Sequence, residues 1–232
     1  MRKIKSILSS IIILLLLNSK LIGQDIYTTS AWEMIFSFAD VTQNGYPADN
    51  IIRWAPVFNS QTMLNVDLSE YLGVFTGLGI RNVGLIYDDP EIKNVKYKYR
   101  NYTLGIPAGI KLGKLDGIFV YGGYEIEFPF HFKEKFFVNG KKEEKNRYWF
   151  SDRSERVFHT LLVGIQFPYG ANLKFKYYLT NFFNQDFEAT RLDDSGSPEI
   201  YRPYAEHEAY IFFFSLSFNL FKNTKLYYYQ PE

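Results

Sequence analysis

Three residues with side chains suited to chemistry stand at alternating positions of one predicted strand: Glu125, Glu127 and His131. Two carboxylates and an imidazole on one face are the groups that a metal site or acid–base catalysis requires. Positions i, i+2 and i+6 of an extended strand span about 20 Å, however, so the three groups cannot meet at one ion without ligands from other strands. We therefore expect no metal, no cofactor and no catalytic residue here.

A larger set of charged residues alternates with apolar residues along several predicted strands. The nine predicted inward charges are Glu33, Arg53, Asp67, Arg81, Lys111, Glu125, Glu127, Lys174 and Lys176. They line a pore, or they pair with one another and fill the interior, because buried charges must find partners. Arg81 and Glu125 stand at similar heights on strands separated by one neighbour, so we expect these two side chains to pair.

Eight segments of alternating hydrophobicity position these charges. Helical periodicity is scarce, which predicts an all-β chain. The predicted strands cover residues 31–39, 52–68, 72–86, 101–113, 118–131, 156–167, 172–180 and 210–221. Tight connections near 69–71, 114–117 and 168–171 alternate with long ones at 40–51, 87–100, 133–155 and 181–209. In an up-and-down meander, the tight turns then fall at one end and the long loops at the other.

The two faces of each predicted strand differ in a way that indicates which one is inside. The apolar faces are heavy, with aromatic residues near the strand ends, as in the girdles of membrane barrels. The opposite faces are rich in glycine, which would lose packing against water but leaves room for large inward side chains in a narrow barrel. A soluble lipocalin-like barrel turns its apolar face inward instead. We therefore predict an eight-stranded antiparallel up-and-down transmembrane β-barrel.

The first 23 residues are typical of a secretory signal peptide, with a basic start, an apolar run at 11–17 and Gly23 before the expected cleavage point. That run is about half of the roughly 20 residues that a membrane-spanning helix needs. The chain has no cysteine, which excludes disulfides, thiol catalysis and a lipid anchor at Gln24. The predicted organisation is a signal peptide (1–23), one barrel domain (24–221) and a C-terminal periplasmic tail (222–232).

The segments RWAPVFNSQTMLNVDLSEYLGVFTGLGIRNVG and LGIPAGIKLG, with the aromatic last strand, resemble Gram-negative outer-membrane β-barrel proteins, in size the eight-stranded members. The resemblance covers nearly all of the chain after Gly23. It implies export to the outer membrane, with periplasmic turns and extracellular loops. The family usually ends on an aromatic residue of the last strand, which here would be Phe221. This chain departs from that pattern because KNTKLYYYQPE follows. Either these residues form a tail, or the last strand extends to Tyr229. Outer-membrane lipid A deacylases carry a histidine two residues before a serine, a pattern that none of the three histidines here matches.

Long loops are where a barrel of this kind is expected to carry function. Loop 133–155 is mildly basic and loop 181–209 is acidic. Pairing between these loops, binding of lipopolysaccharide phosphates by the basic residues, and simple solvation all remain open. The net charge of +1 gives no reason to expect nucleic acid as a partner.

The sequence thus predicts a non-enzymatic outer-membrane barrel with a side-chain-plugged lumen and a structural or surface-interaction role. A small pore or transport component is the alternative, and a membrane enzyme acting on lipid comes third. The expected partners are outer-membrane lipids including lipopolysaccharide, the barrel-assembly machinery, and an unidentified surface or periplasmic protein.

Overall fold

Long β-strands dominate the computed structural model, which describes residues 25–193 and 196–223. In chain order the strands are β1 (Asp25–Gln43), β2 (Tyr46–Pro47), β3 (Asn50–Ile51), β4 (Arg53–Ala55), β5 (Ser60–Asp67), β6 (Leu72–Asp88), β7 (Val95–Gly113), β8 (Phe119–Val138), β9 (Lys141–Trp149), β10 (Phe158–Gln166), β11 (Ala171–Tyr178), β12 (Ala189–Leu192), β13 (Pro198–Tyr201) and β14 (His207–Asn223). The predicted signal peptide and the part of the predicted tail after Asn223 lie outside the described residues. Among the residues described, no helix is long and apolar enough to cross a membrane.

Eight of these strands pair antiparallel with a neighbour on each side and so close a barrel. Around the ring their order is β1, β5, β6, β7, β8, β10, β11 and β14. The ring closes where β14 pairs with β1, from Thr28 opposite Asn223 to Gln43 opposite His207. In a closed ring every strand edge is paired. A bilayer requires this, because it offers no water to unpaired backbone groups. The predicted eight-stranded antiparallel barrel is therefore confirmed.

The barrel carries its apolar side chains outside and its charged side chains inside. Ile106, Ile110 and Leu216 are 45%, 49% and 46% exposed on the outer wall, whereas Arg81 and Glu125 are fully buried. A water-soluble barrel needs the opposite arrangement, with its apolar groups withdrawn from solvent. This distribution is that of a barrel whose outer wall contacts lipid, and the soluble alternative is wrong.

Glycines on the inner wall of β7 leave room for large neighbours. A Cβ atom at Gly105 would collide with the carboxylate of Glu125, and one at Gly109 would meet the ring of Phe75. The side-chain volume missing from β7 is thus occupied by residues of β6 and β8. This explains why a strand tolerates two glycines that would otherwise weaken it.

Several predicted strands have different bounds in the structure. The predicted strand 52–68 is broken between β4 and β5, where Phe58 adopts a φ angle of 62°. The predicted loops at 87–100 and 133–155 consist largely of strand, because β6, β7 and β8 continue past the barrel body and β9 pairs with the extension of β8. These strand extensions lie beyond the membrane and carry charged residues. Their composition is therefore that of loops, which explains the prediction. The last strand ends at Asn223, two residues beyond its predicted end.

A β-bulge reverses the orientation of His131. In the pairing of β7 with β8, Thr103 faces Pro129 and Tyr102 faces His131, so Phe130 is the extra residue. An extra residue inverts the inside–outside alternation beyond it. The prediction that His131 shares the inward face of Glu125 and Glu127 is therefore wrong.

Candidate functional site

Six of the nine predicted inward charges meet in the middle of the barrel. We call them the lumen network: Glu33 of β1, Arg81 of β6, Glu125 and Glu127 of β8, and Lys174 and Lys176 of β11. Three are acidic and three are basic, and each is at most 2% exposed. Their charges therefore balance within one buried cluster drawn from four strands.

Arg81 lies at the centre of the lumen network. Its Nε donates to Oε2 of Glu33 at 2.9 Å, and its Nη2 donates to Oε1 of Gln61 at 3.1 Å. Its Nη1 contacts Oε1 of Glu127 at 3.4 Å and also donates to Glu125. The planar guanidinium is suited to such branching because it presents five donors in a fixed geometry.

The two lysines complete the charge balance from β11. Lys174 donates to Glu33, while the Nζ of Lys176 donates to Oε2 of Glu125 at 2.7 Å and also to Glu127. Residues i and i+2 of a strand share a face, which places both ammonium groups in the lumen. Every carboxylate of the network thus contacts two cations.

Neutral donors satisfy the remaining lone pairs of Glu127. Thr103 Oγ1 and Tyr178 OH donate to its Oε2 at 2.8 and 2.9 Å. A buried ion cluster is tolerated only when its polar atoms are satisfied in this way. Neither residue stood among the predicted site residues, although both lie on the predicted strands.

Lys111 and Asp67 form a separate pair nearer the short turns. Lys111 Nζ donates to Asp67, to Tyr27 OH at 3.1 Å and to Asn65 Oδ1 at 3.3 Å. Lys111, Tyr27 and Asn65 line a cavity of about 370 Å³ that lies between the lumen network and the short-turn end. Arg81, Glu125 and Lys174 also contribute to its wall.

Arg53 is the predicted inward charge that joins neither group. It is 3% exposed, and its guanidinium donates to the backbone oxygen of Asn82 at 3.0 Å and to the side-chain oxygen of the same residue. Within the part of the chain that the structure describes, it makes no ion pair with a carboxylate.

A cluster of buried aromatic residues lies at the long-loop end of the barrel. Phe182, Phe183 and Tyr204, from the connection between β11 and β14, pack against Tyr99 and Phe132 of the barrel wall. The Phe183 ring stacks on Tyr204 at 5.0 Å and meets Tyr99 edge to face at 4.9 Å between centroids. We call these five residues the aromatic cap. None of the five was among the predicted site residues, although two consecutive phenylalanines in an otherwise polar loop were a signal for burial.

The acidic and basic loops do not pair through charges in the described residues. Arg202 binds Glu188 at 2.9 Å and Asp186 at 3.5 Å, all within the loop that carries the cap. The loops are linked instead by hydrogen bonds such as Tyr204 OH to Glu134 Oε2 at 2.9 Å and Asn184 Nδ2 to the backbone oxygen of Asp152 at 2.8 Å.

The carboxylates and imidazoles of the described residues do not cluster in the way that a metal centre requires. No three His, Asp or Glu side chains among them lie close enough to hold a metal ion. Glu125 and Glu127 are in the lumen network, while His131 lies outside the barrel with its ring 4.3 Å from that of Trp149. The only imidazole hydrogen bond among these residues joins His159 Nδ1 to Tyr124 OH.

Comparisons with known proteins found similarity in structure alone. No family model and no curated protein matches the sequence. Ail, the attachment invasion locus protein of Yersinia pestis, in complex with the heparin analogue sucrose octasulfate, aligns at 11% identity over 84% of this chain and 98% of its own, with a TM-score of 0.37. Neisserial surface protein A aligns at 10% identity over 88% and 99%, with a TM-score of 0.38. OprG of Pseudomonas aeruginosa aligns at 11% identity over 85% and 95%, with a TM-score of 0.36.

These alignments carry no conclusion about ligand or activity. The closed ring of eight strands, its apolar outer wall and its charged interior are instead properties of the chain itself. They are the features of the eight-stranded outer-membrane β-barrels that the sequence resembles. The chain has the architecture of an outer-membrane β-barrel protein.

Proposed function

We propose that the protein is a non-enzymatic outer-membrane barrel whose lumen is closed by its own side chains, and which acts through its long-loop end. The observation that carries this proposal is that two separate groups of side chains occupy the lumen, one above the other. The lumen network crosses the middle of the barrel, and the aromatic cap fills the mouth above it. A solute would have to displace both to cross.

The burial and pairing of the lumen network favour side chains that close the lumen over side chains that line a pore. A pore needs charges that face water, and here all six are buried and each carboxylate contacts two cations. Opening a path would separate buried ion pairs, and a buried charge left without its partner typically costs about 3–5 kcal/mol. An eight-stranded lumen is only wide enough for its side chains in any case.

A structural or surface-interaction role fits the part of the chain beyond the barrel. The β8–β9 hairpin and the β12–β13 hairpin extend from the long-loop end. Leu192 and Ile200 on the second hairpin are 70% and 69% exposed, as expected of a contact surface for another protein. Outer-membrane lipids including lipopolysaccharide, the barrel-assembly machinery during insertion, and an unidentified surface or periplasmic protein are the proposed partners.

Planar-bilayer recording tests the closed lumen. Purified wild-type protein, with insertion verified by proteolysis of its long loops, should give no steady channels. A general porin added to the same bilayer afterwards is the positive control. Steady open channels of uniform size from the wild-type protein would contradict the proposal.

A small pore or transport component is the second candidate, and one observation favours it. The cavity of about 370 Å³ at the short-turn end is large enough for a small solute and is bordered by Arg81 and Lys174 of the lumen network. Rearrangement of these side chains together with the aromatic cap would join the cavity to the long-loop end. Solute uptake by cells that produce the protein, compared with cells that lack it, distinguishes this candidate from a permanently closed barrel.

A further inference from the structure

Six cations form a regular array on the outer face of strands β7, β8 and β9. Lys133 lies opposite both Arg100 and Arg147, and two residues further from the barrel Lys135 lies opposite both Lys98 and Lys145. We call this array the basic grid: Lys98, Arg100, Lys133, Lys135, Lys145 and Arg147. Neighbouring strands lie about 4.8 Å apart and rows two residues apart lie about 7 Å apart, so the grid presents six cations on a small patch.

The basic grid is not neutralised by acids on its own face: Asp88 of β6 shares that face, but it pairs with Lys96, outside the grid, at 3.7 Å. Alternation sends Glu134 to the opposite face, where it accepts hydrogen bonds from Asn146 at 3.2 Å and Tyr204 at 2.9 Å. Among the described residues, no grid cation makes an ion pair with a carboxylate. The 133–155 segment is therefore only mildly basic as a whole, although its outer face carries the grid cations and Glu134 lies on the opposite face.

Like charges directly opposite one another destabilise a sheet. Lys133, at the centre of the first row, is only 8% exposed. Burial, reinforced by Arg100, Arg147 and other grid cations, lowers the pKa of Lys133 to about 8. The pKa of Lys135 is lowered for the same reasons. An anion bound to the grid would remove this repulsion.

The position of the basic grid indicates where that anion comes from. Directly below it on the same outer face lies an aromatic row in which the His131 ring is 5.3 Å from Tyr102 and 4.3 Å from Trp149. Below that row stand Leu104 and Phe128, which belong to the apolar outer wall. Aromatic rows of this kind mark the membrane interface. The grid thus stands at the level of lipid headgroups and faces the bilayer side of the barrel, away from its mouth.

We propose that the basic grid binds the phosphate groups of an anionic lipid of the surrounding leaflet, with the acyl chains of that lipid against the apolar wall below. This inference rests on the orientation in the proposed function, in which the long loops are outside and the neighbouring lipid is lipopolysaccharide. Arginine and lysine donors at this density suit phosphate oxygens, which accept several charge-assisted hydrogen bonds at once. A soluble polyanion would use the cations but would gain nothing from the aromatic row or the apolar wall.

Lipid binding in detergent micelles tests the proposal. The probes are bisphosphorylated lipid A, the same lipid without phosphate, and inositol hexakisphosphate as a free polyphosphate. The grid variant carries Lys133→Gln, Lys135→Gln and Arg147→Gln, and the matched control carries Lys93→Gln, Lys114→Gln and Lys141→Gln, which remove three exposed cations outside the grid. Binding is measured by native mass spectrometry and by the shift in thermal unfolding.

Wild-type protein and the control variant should prefer the phosphorylated lipid, and the grid variant should bind it about 100-fold more weakly, because each cation near an anionic headgroup contributes a factor of about five. Equal binding by the grid and control variants would overturn the proposal. Inositol hexakisphosphate bound as tightly as the lipid would also overturn it, in favour of a soluble polyanion. Channel activity would contradict the closed lumen but would not change the lipid-binding result. Failure of the proposed function and failure of the lipid-binding proposal are therefore distinguishable.

Discussion

The guanidinium of Arg81 donates through Nε to Glu33 at 2.9 Å, although the two residues lie 48 positions apart and strand β5 separates their strands. This pair ties β1 to β6 across the lumen. Both side chains are buried, so that loss of either one would leave the other as an uncompensated charge. The stability of the barrel should therefore depend on the lumen network more than on any surface ion pair.

Replacing Arg81 with alanine should lower the free energy of unfolding by about 3–5 kcal/mol, since it leaves buried carboxylates uncompensated. Denaturant unfolding in detergent, followed by tryptophan fluorescence, measures the change. Adding Glu125→Gln or Glu127→Gln should recover part of the loss by restoring the charge balance. Lys96→Ala is the control: Lys96 pairs with Asp88 at 3.7 Å on the surface, and such exposed pairs contribute about 0–1 kcal/mol. Unchanged stability with altered conductance in Arg81→Ala would favour the pore.

Gly105→Ala should destabilise the barrel by about 1–3 kcal/mol, the usual cost of overpacking. The added methyl group would displace the Glu125 carboxylate from its position beside Arg81. Gly122→Ala is the matched control on the neighbouring strand, since its nearest heavy atom outside the adjacent residues would be the Leu162 oxygen at 3.5 Å. The shift from folded to heat-denatured mobility on gels compares them, and similar melting of the two variants would argue against a tightly filled lumen.

The two ends of the barrel should differ in accessibility on intact cells. The chain has no cysteine, so single cysteines at Lys141, in the β8–β9 hairpin, and at Asp116, in a short turn, provide unique labels. A membrane-impermeant maleimide should label the first without cell lysis and the second only after lysis. Equal labelling of both positions would refute the assigned orientation.

Ile106→Arg should impair insertion or stability, because Ile106 is 45% exposed on the outer wall among other apolar side chains. A cation at the bilayer midplane of such a barrel costs about 2–4 kcal/mol, and less nearer the interface. Refolding yield into lipid vesicles and the unfolding midpoint report the effect. Ile92→Arg, in the connection between β6 and β7, is the control and should be tolerated; equal tolerance of both would place Ile106 away from lipid.

The basic grid predicts an unusual dependence of stability on pH. The pKa of about 8 for Lys133 in the folded protein is below the value of about 10.4 for an unperturbed lysine. Between these pH values the unfolded chain binds more protons, so stability should rise as the pH increases from about 8 to about 10. In a neutral detergent Lys133→Met should reduce this rise, whereas Lys141→Met should retain it. Identical pH profiles for the two variants would show that the pKa of Lys133 is not lowered.

The sequence by itself determined the class of fold and the inner and outer walls of the barrel. Successive side chains of a strand point to opposite faces, so a period of two assigns Ile106 to one wall and Arg81 to the other before any partner is known. Tight and long connections in alternation then indicated a meander with turns at one end. These features depend on local geometry, and the structure retains them.

The pair of Arg81 with Glu125 was predicted from the heights of the two residues on their strands, and the structure contains it. The contacts of Arg81 with Glu33 and Glu127 were decided only by the tertiary structure, because they depend on strand register around the whole ring. The bulge at Phe130 moved His131 from the lumen to the outer face, because one extra residue inverts the alternation after it. Non-local pairing also aligned Lys133 with Arg100 and Arg147, since only the register of three strands sets these charges side by side.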